Sequence, residues 1–234
     1  MESLPSKFSV YRWVKRELSL PLLRDILSPI VGLLIFNPCI NWRDLRRMIE
    51  SRNGRAAIFG AGPTLIDGIK HFLKMDFKRY CIICADGAVK ALLQHNIIPD
   101  IIVSDLDGDP KALLRAYELG SKFIILCHGD NIDKQLFFKD KIRRVYLTSQ
   151  VYSLPPLIYN FDGFTDGDRA IYIAASLGAK EILLIGMDFG SVIGRYSLGF
   201  KKNLARKMIK LRIGSILMNR AILRFKLKAN RINV

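Results

Sequence analysis

Short apolar runs rich in β-branched residues recur along the middle of the chain, each closed by glycines, acids or amides. They are Ala56 to Phe59, Tyr80 to Cys84, Ile101 to Ser104, Phe123 to Cys127, Ile142 to Leu147 and Glu181 to Ile185. Runs of this length, bounded by turn residues, read as buried strands. Between most of them lie segments of helical character, Thr64 to Lys74, Gly87 to His95 and Lys111 to Leu119. Such alternation predicts parallel βαβ units with both sheet faces covered. The fold class is therefore α/β: a mostly parallel, Rossmann-like sheet flanked by helices.

The ends of the chain follow a different pattern. Residues 1–50 read as a helical N-terminal appendage, with Trp13, Leu18, Leu22, Leu23, Ile26 and Leu27 on packing faces interrupted by Pro21 and Pro29. Asn41 is placed to cap a helix over Trp42 to Ser51, and Gly54 ends it. Residues 51–200 form the α/β domain. Residues 201–234 form a basic C-terminal helical segment that packs back on it, with Leu204, Met208, Leu211 and Ile216 at helical spacing.

The polar residues that close the strands carry the chemistry, because ligands of open α/β sheets bind at the carboxyl ends of the strands. The most specific stretch is Ser104-Asp105-Leu106-Asp107-Gly108-Asp109. Along an extended chain, side chains two apart share a face, so Asp105, Asp107 and Asp109 can converge. Carboxylates closing a buried strand are costly unless paired or coordinated, and a hard cation such as Mg2+ suits them. Asp109 has a second reading, as the cap of a helix opened by Pro110. Gly60 and Gly62, followed by Pro63 and Thr64, predict a bend whose exposed N–H groups cradle a phosphate. Asp86, next to Gly87, can accept hydrogen bonds from a ribose or a pterin-like heterocycle, or cap a helix. His128, Asp130 and Asn131 form a third wall. Thr165 can cap a helix, while Asp166, Asp168 and Arg169 supply further metal ligands or a phosphate clamp. Asp188, after another apolar strand, reaches the same rim.

Charge sharpens this picture. With 37 Lys and Arg against 21 Asp and Glu, the chain carries a formal net charge of +16, which attracts phosphate-rich partners. The excess concentrates after Asp188 and reads either as a solvated helix face or as a polyanion surface. No recognisable nucleic-acid motif accompanies it. Cys81 and Cys84 would face opposite sides of one strand, which is wrong for a shared zinc ion and consistent with buried thiols in a reducing cytosol. The apolar stretch Ile26 to Ile40 is broken by Pro29 and Pro38 and is too short to span a bilayer, so a soluble, cytoplasmic protein is expected.

The stretches Gly60-Ala61-Gly62-Pro63-Thr64-Leu65, Ala85-Asp86-Gly87-Ala88, Pro99 through Asp109, His128-Gly129-Asp130-Asn131, Gly163 through Ala170 and Gly186-Met187-Asp188-Phe189-Gly190 occur in one order. In these blocks, over roughly residues 40–200, the chain resembles the archaeal 6-hydroxymethyl-7,8-dihydropterin pyrophosphokinase family, itself similar to thiamin pyrophosphokinase. The resemblance implies ATP- and Mg2+-dependent transfer of a diphosphate to the hydroxymethyl group of a reduced pterin, with release of AMP, in the synthesis of a folate-like cofactor. It departs at Thr64, at Leu126 and at Arg195-Tyr196-Ser197-Leu198-Gly199.

On this reading Asp105 and Asp107, with Asp109 or with Asp166 and Asp168, hold Mg2+ against ATP. Arg169, Arg195 and Lys201 steady the triphosphate, and His128 or Asp130 is the place to look for a base. A homodimer is one assembly expected. The alternatives are a related enzyme with another acceptor, a nucleotide-dependent oxidoreductase, and a basic module that binds nucleic acid or a membrane surface. The oxidoreductase fingerprint lacks its third glycine, where Leu65 stands.

Overall fold

Each apolar run that marks a strand in the sequence forms one, within two residues of the expected bounds. The computed structural model describes residues 7–18, 22–189, 193–197 and 204–232. The elements in chain order are α1 (Lys7–Leu18), α2 (Leu22–Ile35), β1 (Asn37–Pro38), α3 (Arg43–Glu50), β2 (Arg55–Phe59), α4 (Leu65–Phe72), β3 (Cys81–Ala85), α5 (Asp86–Gln94) and β4 (Ile101–Ser104). They continue with α6 (Pro110–Glu118), β5 (Lys122–Cys127), α7 (Ile132–Phe138), β6 (Arg144–Ser149), β7 (Ile158–Tyr159), α8 (Asp166–Ser176), β8 (Glu181–Ile185), α9 (Leu204–Arg224) and β9 (Lys228–Arg231).

The strands form one parallel sheet in the order β1-β6-β5-β4-β3-β2-β8-β9, with β7 also pairing β6. Successive strand residues alternate between two apolar layers, which is why the runs are continuous rather than half polar. Ile58, Ile83 and Val103 pack with α8 and α9 through Ile173, Ile213 and Leu217. Phe59, Cys84 and Ile102 pack on the other face with Ile69 of α4, Val89 of α5 and Leu113 of α6. Cys81 and Cys84 fall in opposite layers, as the strand period requires.

From β2 the chain adds strands outward on one side as far as β6, then returns to place β8 on the other side of β2. The carboxyl ends of β2 and β8 therefore flank the point where strand order reverses, the usual ligand crevice of such sheets.

Three local expectations change. Pro29 does not interrupt the N-terminal helix, because α2 runs from Leu22 through it to Ile35. A buried proline forfeits one backbone hydrogen bond, and here the packed face tolerates it. Asn41 does not cap α3: its side chain bonds the Asp44 carboxylate at 2.9 Å, and Trp42 occupies the cap position. The Trp42 indole donates to the Pro156 carbonyl at 3.1 Å and packs within 5.2 Å of Tyr146, Tyr159 and Phe161, so tertiary packing sets that helix end. The last basic helix stops at Arg224, Lys226 takes a positive φ of 50°, and β9 then extends the sheet beside β8. No helix among the described residues is long and apolar enough to cross a membrane.

Candidate functional site

A cavity of about 170 Å³ opens at the carboxyl rim, between the ends of β2, β3, β4 and β8 and the first turn of α8. At its floor, one carboxylate oxygen from each of Asp86, Asp105 and Asp107 lies within 4.8 Å of the other two. Strand adjacency creates this group. β3 and β4 pair with Ala85 opposite Val103, so Asp86 leaves its strand beside Ser104 and Asp105.

The loop after β4 is not an extended continuation of the strand. Leu106 takes φ +65°, a conformation that side-chain-bearing residues rarely adopt, and its apolar side chain is buried. Hydrogen bonds hold it there. Ser104 Oγ accepts the Leu106 N–H at 2.7 Å and donates to Asp86 Oδ2 at 3.1 Å, and the same oxygen accepts the N–H groups of Asp107 and Gly108 at 3.2 and 3.1 Å. The turn directs Asp105 and Asp107 to Asp86 and carries Asp109 away. Asp109 accepts the Ala112 N–H at 3.0 Å as the cap of α6 and pairs with Lys90 at 2.9 Å. The convergence expected of Asp109 does not occur, and Asp86 takes that place.

His128, at the end of β5, approaches Asp105 Oδ2 with Nε2 at 3.3 Å. Its Nδ1 accepts the Asp130 N–H, which assigns the remaining ring proton to Nε2 and makes His128 a donor to Asp105. With both ring nitrogens engaged, His128 positions a carboxylate and offers no free lone pair as a base. The exposed Asp130 and His128 line a smaller adjoining cavity of about 40 Å³ with Asp25 and Gln150, and the two cavities share Asp105, Phe164 and Lys210. Asn131 is wholly buried and donates to the carbonyls of Asp105 and Leu126 at 2.8 and 2.6 Å, tying two strand ends together from beneath.

The glycine loop works differently from the phosphate cradle expected of it. Gly60 and Gly62 donate their N–H groups to the carbonyls of Ile185 and Gly186 at 2.9 and 2.8 Å, and are therefore spoken for. A Cβ at Gly60 or Gly62 would stand 2.7 or 2.5 Å from the Gly186 carbonyl oxygen, so glycine is needed for the approach of one strand end to another. Asp188 completes the join by accepting both the N–H and the hydroxyl of Thr64, at 2.8 and 2.7 Å. Gly60, Gly62, Gly87 and Asp188 still line the cavity, whereas Pro63 is exposed outside it.

In the first turn of α8, Thr165 and Asp166 face the cavity. Asp168 does not: it is fully buried, and its two oxygens accept the N–H groups of Phe164 and Thr165, at 2.7 and 2.8 Å, in a capping box. Arg169 is buried beneath the site, donating to the Phe164 carbonyl at 3.0 Å, and is not in reach as a clamp. Arg195 is exposed and lies off the lining, and Lys201 falls outside the described residues.

The cations at the cavity come from positions that the sequence reading did not assign to the site. Lys207 and Lys210 project from one face of α9 with Leu211. Gly214, on the same face, lets α9 approach the Phe189 ring, where a Cβ would sit 2.6 Å away. Lys134 of α7 reaches Asp107 at 3.7 Å. Helical spacing placed Lys207 and Lys210 on a common face, but nothing in the sequence said that the face meets the rim.

Burial and mutual repulsion govern the charge state of the acids. Burial, and then the negative charges of Asp105 and Asp107, push Asp86 up to about 8. Asp166 is raised well above its ordinary value by burial and by Asp86, Asp105 and Asp107, and Asp107 is raised by burial and Asp105. Burial also acts upward on Asp105, but its bond to His128 and the charges of Lys134 and Lys210 work against that and hold it below the ordinary range. Burial and then Lys210 lower Lys207. Three clustered oxygen donors whose charges repel one another fit a hard divalent cation such as Mg2+, which would be held by Asp86, Asp105 and Asp107.

A stability test follows. A carboxyl raised in the folded protein favours folding below its unfolded value, and that contribution is lost as pH rises through the folded value. For Asp86 the window runs from an ordinary 3.8 to about 8. The metal-free protein is expected to lose thermal stability across this window, and Mg2+ is expected to restore several degrees at pH 9 and almost none at pH 5. Thermal shift assays with and without MgCl2 check this, and an equal gain at both pH values would remove Asp86 from the cation site.

The comparisons with known proteins bear on the same segment. Residues 36–194 match the family described as 6-hydroxymethylpterin diphosphokinase MptE-like. The 6-hydroxymethyl-7,8-dihydropterin pyrophosphokinase of Methanocaldococcus jannaschii is 44% identical over 160 residues, 65% of each chain. The protein of the same name from Methanothermobacter thermautotrophicus is 43% identical over 141 residues, 60% of each chain, and that from Pyrococcus furiosus is 46% identical over 176 residues, 75% of this chain and 70% of that one. The match thus spans under two thirds of the length of the two methanogen relatives. Among solved structures, the MAf glycosyltransferase of Magnetospirillum magneticum shares the fold, with a TM-score of 0.52 and 20% identity over 76% of this chain and 31% of that chain. By the match over residues 36–194, the chain belongs to the 6-hydroxymethylpterin diphosphokinase MptE-like family.

Proposed function

We propose that this chain is an ATP- and Mg2+-dependent diphosphotransferase that moves the terminal diphosphate of ATP to the hydroxymethyl group of 6-hydroxymethyl-7,8-dihydropterin and releases AMP. The names of the archaeal relatives support the reaction and its acceptor. The observation that carries it is the meeting of two cavities at Asp105, where the acid group of Asp86, Asp105 and Asp107 faces Lys207 and Lys210. Two ligands that meet beside clustered acids and lysines suit the transfer of an anionic group from one to the other.

The reaction forms a bond from the acceptor hydroxyl oxygen to the β-phosphorus and breaks the bond from that phosphorus to the oxygen bridging to AMP. A bound Mg2+ would neutralise phosphate charge and so stabilise the transition state. The protein's own share is positioning. Asp86, through its bonds to Ser104, Asp107 and Gly108, sets the shape of the acid loop. His128 fixes Asp105, and Lys207 and Lys210 offer charge to phosphate oxygens as the diphosphate moves. Of the two groups expected to supply a base for the hydroxyl proton, His128 is engaged at both nitrogens, which leaves the exposed Asp130 of the adjoining cavity, a weak base. Phosphoryl chemistry tolerates this, because positioning and charge stabilisation supply most of the acceleration. The setting is the cytoplasm, where ATP and Mg2+ are present and unpaired thiols such as Cys81, Cys84 and Cys127 stay reduced.

Incubation with ATP, Mg2+ and a panel of hydroxymethyl heterocycles tests the reading. AMP is expected to form in equal amount to diphosphorylated pterin, and only with Mg2+ present. AMP formation with thiamin and not with the pterin would move the acceptor and keep the reaction. Tight NADH binding without Mg2+, and no AMP with any acceptor, would overturn the reaction itself.

A further inference from the structure

We propose that the outer face of α2 is a docking surface for α2 of a second copy of this chain, packed antiparallel. In the α2 sequence, Leu-Leu-Arg-Asp-Ile-Leu-Ser-Pro-Ile-Val-Gly-Leu-Leu-Ile, only Arg24, Asp25 and Ser28 are polar. The face carrying Asp25, Ser28, Pro29 and Gly32 is buried against the domain. The opposite face is wholly apolar and faces solvent, with Leu23, Leu27, Ile30 and Leu34 exposed by 68, 45, 46 and 80%. A wholly apolar helix face belongs in an interior, so among the described residues α2 lacks a partner on its outer side.

The chemistry and spacing of that face choose the occupant. Fourteen residues extend about 21 Å as a helix, short of the ~30 Å hydrocarbon core of a bilayer. A helix lying on an anionic membrane carries basic residues along its polar edge, and α2 has Arg24 alone. The intervals from Leu23 to Leu27, Ile30 and Leu34 are four, three and four, the alternation that seats side chains between those of a second helix. The series is also symmetric about its midpoint. Two antiparallel copies would place Leu27 of one against Ile30 of the other, and Leu23 against Leu34, as a two-fold interface requires.

The area is sufficient. With Leu136 and Phe137 of α7, which packs beside α2 and exposes both, the apolar surface comes to roughly 600 Å² per copy. Two copies that covered all of it would bury about 1,200 Å², the lower bound for a specific stable interface. Pairing would also brace the site from behind, because Asp25 on the inner face accepts the Gly129 N–H at 2.6 Å and Ser28 Oγ accepts from Gln135 at 2.6 Å.

Sedimentation equilibrium of the full chain at micromolar concentrations is expected to give twice the chain mass, and Leu27→Glu/Leu34→Glu is expected to sediment as a monomer with an unchanged circular dichroism spectrum. An equal mixture of Leu23→Cys and Leu34→Cys is expected to form an interchain disulfide under mild oxidation. Neither variant is expected to do so alone, since the two positions are about 16 Å apart along the helix, beyond disulfide reach. A monomeric wild type, a charged double variant that stays dimeric, or equal cross-linking of Leu23→Cys by itself would each overturn the proposal. So would a monomer that floats with phosphatidylglycerol vesicles through Leu27 and Leu34, which would make the occupant a lipid surface.

Discussion

Asp107→Asn is expected to lower the rate of AMP formation by about a thousandfold or more while leaving the fold intact. The Asp107 side chain is half exposed, and its pair with Lys134 at 3.7 Å is a surface contact of little weight. What the loop needs from this residue is its backbone N–H, which bonds Asp86 and Asp105, and asparagine keeps that group. Removing the charge relieves the repulsion that raises Asp86 and Asp166, so the metal-free protein should melt at the same temperature or slightly higher. The loss falls on cation binding. Metal stabilisation of a phosphoryl transition state is worth several kcal/mol, and each 1.36 kcal/mol is a factor of ten in rate. AMP formation against Mg2+ concentration, together with thermal midpoints with and without Mg2+, checks both halves. A rate within threefold of wild type at saturating Mg2+ would exclude Asp107 from the cation site.

Lys210→Ala is expected to reduce kcat/KM for ATP by about 10- to 100-fold, because a charge-assisted hydrogen bond contributes about 1.5–3 kcal/mol. Lys210 lines both cavities, with its ammonium 5.8 Å from the centre of the Phe164 ring. Lys207→Ala should have a similar effect. If the two lysines grip the same diphosphate, the double variant should lose less than the product of the single losses. Lys210→Arg, which keeps the charge, should recover part of the activity, and this separates a phosphate contact from a packing role. Full activity in Lys207→Ala/Lys210→Ala would return α9 to the solvated face that its composition suggested.

How much of the site was legible depended on how local its cause was. Asp105 and Asp107 stand out in the chain because two carboxylates at the end of an apolar run need an explanation wherever the strand goes. Asp86 was visible as a polar residue after a strand, but its membership in the same acid group depends on β3 lying beside β4 in a particular register. Asp109 was drawn into the candidate set by its spacing from Asp107, and Asp168 by standing with Asp166 and Arg169 at the start of a helix. Both cap helices instead, a local use of a carboxylate that competes with metal binding at the same kind of position. The glycines were recognised as a tight bend, but what they approach is the end of β8, more than a hundred residues away, rather than a ligand.

The alternation of short apolar runs with helical segments was sufficient to determine a parallel α/β sheet, because a strand buried on both faces has no polar side to show and a parallel neighbour needs a crossover. It also pointed to one rim as the place of the candidate chemistry, since the clusters of glycines, acids and amides follow the strands. Tertiary structure alone decided which of those residues meet. Strand order put Asp86 beside Asp105, the positive φ at Leu106 turned Asp109 away, and the packing of α9 on α8 brought Lys207 and Lys210 over the acids. The physical reason is range: periodicity and capping act over a few residues and can be read in order, whereas a site assembled from five strand ends and a terminal helix exists only once the sheet has fixed their neighbours.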